Sequence, residues 1–183
     1  MGSLAGRVSA RTFLKRSLSF VLLAVFLLTG CGYHFVGAGA RVPEGIRSVS
    51  IPIFANETIQ TGIESEVTRA LVDKVTSARQ LRVTGQDEAD ALLSGTVKSI
   101  VTFPSAVTLG TQTATEYRAT LTVEATFKRQ RDGKVFWKGV MSEWRNYLVS
   151  SDLAVTEANK QEAIREASVL LAERLYVILL EDF

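Results

Sequence analysis

An α+β fold is predicted, with two helices packed on one face of a mainly antiparallel sheet of about four to five strands, in strand-helix-strands-helix order. Three observations carry this. Residues 116–128 alternate without a break, with Tyr117, Ala119, Leu121, Val123, Ala125 and Phe127 opposing Glu116, Arg118, Thr120, Thr122, Glu124, Thr126 and Lys128. That is the period of a strand with one wet face. Asp132-Gly133 then supplies a favoured hairpin turn, and residues 135 to 147 a returning strand. Two further segments, about 60 to 78 and 159 to 180, place their apolar residues at helical spacing.

In chain order, residues 48–54 come first, with Val49, Ile51 and Ile53 alternating against Ser48, Ser50 and Pro52. Pro52 has no amide hydrogen, which puts this strand at an edge or pairs it on one side only there. Thr61 and Glu64 have capping-box spacing ahead of Ile63, Val67, Ala70, Leu71, Val75 and Ala78, a first amphipathic helix. Leu81-Arg82-Val83 reads as a short strand, followed by an acidic turn at Asp87-Glu88-Ala89-Asp90. Residues 92–103 then put Leu93, Val97, Val101 and Phe103 on one face and Ser94, Thr96, Lys98 and Thr102 on the other. A Thr- and Ser-containing loop at 104–115 leads into the 116–128 strand. Asn159 and Glu162 repeat the capping-box spacing before Ile164, Ala167, Leu171, Leu175 and Ile178. The nearly all-round apolar stretch at 175–180 is expected to be buried against the sheet or a partner.

The 183 residues are 46% hydrophobic and 22% charged, which excludes both a wholly disordered chain and a multi-span membrane protein. The charge is unevenly placed. Arg7, Arg11, Lys15 and Arg16 lie in a leader without acidic residues, and residues 31 onward hold 17 basic against 19 acidic residues. A net charge of about −2 there argues against a nucleic-acid partner. One cysteine and one histidine exclude an internal disulfide and a cysteine-histidine zinc site.

Residues 18–28 (LSFVLLAVFLL) follow the basic leader and precede Thr29, Gly30 and Cys31, the order of a secretory signal. As a helix they reach only about 16 Å, half of a roughly 30 Å hydrocarbon core, so a permanent transmembrane anchor is the weaker reading. Leu28-Thr29-Gly30-Cys31 resembles the bacterial lipobox. That resemblance implies cleavage before Cys31, an S-diacylglycerol on its thiol and an N-acyl chain on its new amino group. Leu28, Thr29 and Gly30 are then signal-peptidase recognition residues, and Cys31 is an anchor rather than a catalytic or metal-binding group. Two or more acyl chains hold a protein firmly where one does not. Gly32, in place of the aspartate that retains such lipoproteins in the inner membrane, implies transfer to the outer membrane with the domain facing the periplasm. The chain divides accordingly into a removed signal peptide (1–30), a lipidated N-terminus and tether (31–45, containing GAGA at 37–40) and one α+β domain (46–183).

No catalytic constellation is present. The chain lacks a phosphate-binding GxxxxGK[ST], a GxGxxG opening a helix and an HExxH. His34 stands three residues from the lipidation site, and Asp87 with Asp90 would form an acid-base pair only in a cleft. The protein is therefore read as a binding or assembly component without metal or other cofactor. Lys128, Arg129, Arg131, Lys134 and Lys138 surround the hairpin turn, where they either receive the phosphates of an anionic glycolipid or simply solvate the hairpin tip. Phe136, Trp137 and Trp144 on the return strand are expected in the core.

Cys31-Gly32-Tyr33-His34-Phe35, the strand Ser48-Val49-Ser50-Ile51-Pro52-Ile53-Phe54 followed by Asn56-Glu57-Thr58, the helix through Leu71-Val72-Asp73, and Ala89-Asp90-Ala91-Leu92-Leu93-Ser94-Gly95-Thr96-Val97 together resemble the LptE family of lipopolysaccharide-assembly lipoproteins. The resemblance implies a non-enzymatic, periplasm-facing outer-membrane lipoprotein that stabilises and plugs an LptD-type β-barrel and binds lipopolysaccharide. The Ile-Pro-Ile-Phe-x-Asn and Ala-Asp-Ala-x-x-x-Gly patterns also resemble, more loosely, outer-membrane lipoproteins that activate a peptidoglycan synthase or form secretion channels. A lipid-anchored hydrolase using Asp87 and Asp90 is the third possibility.

Overall fold

The computed structural model describes residues 42–107 and 114–180. They form β1 (Ser48–Ser50), β2 (Ala55–Asn56), α1 (Ile63–Ala78), β3 (Arg82–Val83), a single 3-10 turn (Gln86–Glu88), β4 (Ala91–Val107), β5 (Ala114–Arg129), β6 (Val135–Leu148) and α2 (Leu153–Leu179). One sheet runs β3-β1-β4-β5-β6, with β2 pairing β4 further along the same edge. The α+β expectation holds, but the sheet has six strands and is mixed. β1 pairs parallel with β3 and β4, β2 pairs parallel with β4, and only the β4-β5-β6 meander is antiparallel.

The strand expected over 48–54 is split into β1 and β2. Pro52 lies between them and cannot donate to a ladder, so pairing with β4 lapses after Ser50–Leu92 and resumes at Ala55–Thr96. The break turns Phe54 into the core, where its amide donates to Thr68 Oγ1 at 3.0 Å. The Phe54 ring lies over Gly95. A Cβ there would stand 2.2 Å from the ring and 2.7 Å from the Glu124 carbonyl oxygen, so only glycine fits.

Both helices cover one face of the sheet, with different caps from those expected. α1 begins after Gly62, whose φ of 91° suits glycine, rather than at a Thr61 capping box. Glu64 still folds back, accepting the Gly62 amide at 3.1 Å. α2 begins six residues before Asn159, because Asp152 caps it by accepting the Ala154 amide at 2.8 Å. Asn159, now inside the helix, donates to the Leu148 carbonyl at 3.0 Å and ties α2 to the end of β6.

The core lies between this helical layer and the sheet. Val67, Leu71 and Val75 of α1, Ala167, Leu171 and Leu175 of α2, and Leu93, Val97, Leu121, Val123 and Phe127 of the sheet are buried. Of the apolar end of α2 expected to be buried, Leu175, Tyr176, Leu179 and Leu180 are, whereas Val177 is 45% exposed. The edge strand β6 is held to α2 by ion pairs, Arg145 with Glu166 at 3.2 Å and Glu143 with Arg174.

The two-residue period of β4 is reset midway. Val97 pairs with Val123 and Ser99 with Thr122, leaving Lys98 as the extra residue of a bulge. Beyond it Ile100 and Thr102 take the helix-facing positions, opposite Leu121 and Ala119. Val101 and Phe103, expected beside Leu93 and Val97, emerge on the other face, 39% and 61% exposed.

Candidate functional site

Cys31, its recognition residues Leu28, Thr29 and Gly30, and His34 lie outside the described residues. The other sequence-derived candidates fall in two places, the hairpin end of the domain and the face of the sheet that no described element covers.

At the hairpin, Arg129 N donates to the Lys134 carbonyl at 2.8 Å and Gly133, at φ 70°, reverses the chain. Asp132 organises the turn by accepting from the Lys134 amide and from Arg129 Nη1, both at 3.1 Å. These bonds, the backbone amide foremost, hold its carboxyl below the ordinary carboxylate range. The five cations expected to act as one cluster are divided. Lys138 is paired with Glu124 at 3.2 Å on the uncovered face. Arg129 is largely buried, its guanidinium 5.0 Å from the centre of the Phe136 ring, and Lys134 Nζ lies 5.4 Å from that ring. Arg131 projects with its side chain 74% exposed, 3.9 Å from Asp132. Lys128 makes no ion pair among the described residues.

Asp87 and Asp90 come close to this hairpin, since Gln130 N donates to the Asp90 carbonyl at 2.9 Å. Asp90 is a structural latch. Its Oδ2 accepts from the Arg47 amide, the Ser48 amide and Ser48 Oγ at 2.9, 3.0 and 2.9 Å, tying the start of β1 to the start of β4. The Arg47 amide, then the Ser48 hydroxyl, lowers its pKa, so at neutral pH it is an occupied carboxylate rather than half of an acid-base pair. A cavity of about 410 Å³ lies here, lined among others by Gly45, Ile46, Asp87, Asp90, Arg129 and Arg131.

The uncovered face of β4, β5 and β6 is lined by hydroxyl side chains. Thr120, Thr122 and Thr126 of β5 stand beside Ser94, Thr96 and Ser99 of β4, and Thr122 Oγ1 lies 2.8 Å from Ser142 Oγ of β6. Among them Val101, Phe103, Val140 and Trp144 are exposed. Of the three β6 aromatics expected in the core, Phe136 is buried and Trp137 is partly buried against the core, its ring over Gly139, whereas Trp144 is 45% exposed. The Arg118 guanidinium stacks on the Trp144 ring at 3.9 Å. The pairing Ala119–Arg145 and Leu121–Glu143 sends Trp144 to the wet side. Its even position, shared with Ser142 and Asn146, is the signal in the sequence that could have shown it.

The fold is similar to that of a Xanthomonas campestris protein of known structure. That protein aligns with a TM-score of 0.55 at 13% identity over 78% of this chain and 89% of its own. Rare lipoprotein B from Shewanella oneidensis aligns with a TM-score of 0.48 at 14% identity, over 71% of this chain and 91% of its own. PelC from Paraburkholderia phytofirmans, solved as a dodecamer, aligns with a TM-score of 0.48 at 13% identity, over 79% and 94% respectively. No curated protein sequence matches the chain. The family described as LptE, lipopolysaccharide-assembly, matches residues 46–177. The chain belongs to the LptE family, a family of non-enzymatic outer-membrane lipoproteins of lipopolysaccharide assembly.

Proposed function

We propose that this protein is anchored in the outer membrane through acyl chains on Cys31, faces the periplasm, and stabilises and plugs an LptD-type β-barrel that inserts lipopolysaccharide into the outer leaflet. The family match over residues 46–177 carries this reading. The uncovered sheet face supports the plug role physically. A surface of threonine and serine hydroxyls with scattered apolar side chains suits the water-lined interior of a large barrel, where a fully apolar face would be mismatched. Direct contact with lipopolysaccharide phosphates through Lys128, Arg129, Arg131, Lys134 and Lys138 is part of the proposal. Lys128 and Lys134, which join no ion pair among the described residues, and Arg131, whose contact with Asp132 is long and exposed, are the members best placed for it, because Lys138 and Arg129 have closer carboxylate partners. The peptidoglycan-synthase regulator finds no support in the family assignment, and the occupied Asp90 carboxylate speaks against the hydrolase.

The test is a detergent pull-down of the tagged chain from its own outer membranes, with intact-mass measurement of the recovered protein. A stoichiometric large β-barrel and acyl mass on residue 31 are expected, and Cys31→Ser should yield an uncleaved chain without that mass. Recovery of a peptidoglycan synthase in place of a barrel would overturn the reading.

A further inference from the structure

The cavity at the hairpin end is lined by charges of both signs and lies where the chain enters the domain. Arg129 and Arg131 stand on one side, and Asp87 and Asp90 on the facing segment. The Arg129 guanidinium is held by Asp132 through Nη1, and its buried Nε has no hydrogen-bond partner among the described residues. Arg131 is 74% exposed at its side chain and meets only Asp132, at 3.9 Å. Asp87 is exposed and joins no ion pair among the described residues. Gly45 and Ile46, at the start of the domain, line the same cavity. Residues 31–41, eleven in number, span at most about 40 Å. The cavity therefore lies within reach of a leaflet in which acyl chains on Cys31 would sit.

We infer that this cavity binds the headgroup of a zwitterionic phospholipid of the phosphoethanolamine class. The phosphodiester would take charge-assisted hydrogen bonds from Arg129 and Arg131, and the primary ammonium would donate to Asp87. A purely anionic headgroup leaves Asp87 without a partner. A choline headgroup carries the same charges but has no N–H to donate. Bound this way, the headgroup pins the hairpin end to the leaflet and directs the opposite end of the β4-β5-β6 meander away from it. This inference rests on the reading of Cys31 as a lipid anchor.

The experiment uses the full chain reconstituted into phosphatidylcholine vesicles, alone or mixed with phosphatidylethanolamine, phosphatidylglycerol or lipopolysaccharide, and reads amide hydrogen exchange at residues 84–91 and 128–135. Phosphatidylethanolamine alone should slow exchange in both segments, by about fivefold or more, the effect of one net hydrogen bond. Arg131→Gln and Asp87→Asn should each abolish most of that protection while exchange in residues 119–127, which reports the fold, stays the same. Equal slowing by phosphatidylglycerol would reduce the site to a basic patch, and slowing by lipopolysaccharide alone would assign the cations to the glycolipid. No slowing on any vesicle would overturn the inference outright. Failure of the anchor reading shows separately, as missing acyl mass.

Discussion

The two faces of the β4-β5-β6 meander share a backbone and differ in almost every other respect. On the helix side of β5, Ala119, Leu121, Val123, Ala125 and Phe127 are all at most 2% exposed. On the other side Thr120, Thr122, Glu124 and Thr126, one residue along in each case, meet only neighbouring strands and are covered by no described helix. Burial of a Leu- or Phe-sized side chain stabilises by roughly 1.5–3 kcal/mol, whereas a wet threonine on a sheet contributes mostly through its strand preference. One face therefore holds the fold together and the other is left free to meet a partner. Mutations on the two faces should separate stability from binding.

The largest effect is expected at the centre of the covered face. Leu171→Ala removes a fully buried side chain between α2 and the sheet, and should cost about 2–5 kcal/mol of unfolding free energy in urea titration. Gly95→Ala should follow, at about 1–3 kcal/mol, because its Cβ would collide with the Phe54 ring and the Glu124 backbone. If Gly95→Ala were neutral, the close approach of Phe54 to β4 would not be a constraint on the fold.

Asp90→Asn comes next, at about 1 kcal/mol, from the weaker acceptor offered to Arg47 and Ser48. Its pH signature gives the sharper test. The native pKa of Asp90 lies below its ordinary value of 3.8. The stabilisation is therefore complete above that value and is lost as pH falls through the lower native one. Acid titration of stability should be steeper in the native chain than in the asparagine variant. Identical profiles would show that the latch contributes nothing.

The smallest change in stability is expected on the uncovered face. Trp144→Ala forfeits the Arg118 stack, about 0.5–1 kcal/mol at an exposed site. Its effect should appear in partner binding, as reduced recovery of the β-barrel in the pull-down. Unchanged recovery together with a large loss of stability would reverse the roles assigned to the two faces.

Much of this was legible in the residues because alternation and helical spacing are local. The inward set of β5, the Asp132-Gly133 turn, the apolar end of α2 and the existence of both helices follow from side-chain period and turn chemistry alone. The misplacements have local causes with distant consequences. One extra residue at Lys98 reverses the parity of the rest of β4, because side chains alternate with a period of exactly two. Thr61 and Asn159 had good capping-box spacing, but Gly62 and Asp152 took the caps. The hairpin cations looked like one patch because they are neighbours in the chain. Pairing with Glu124 and Asp132, and stacking on Phe136, divides them.

By itself the sequence determined the α+β class, the two helices, the wet and dry sides of β5 and the family resemblance, since each depends on residue type and spacing over a few turns. Tertiary structure alone decided the parallel pairing of β1, β2 and β3, the exposure of Phe103, and the meeting of Asp87 with Arg129 and Arg131 at one cavity. These are contacts between segments about 30 to 45 residues apart in the chain or dependent on strand register. No local period encodes which strand edge a segment will find.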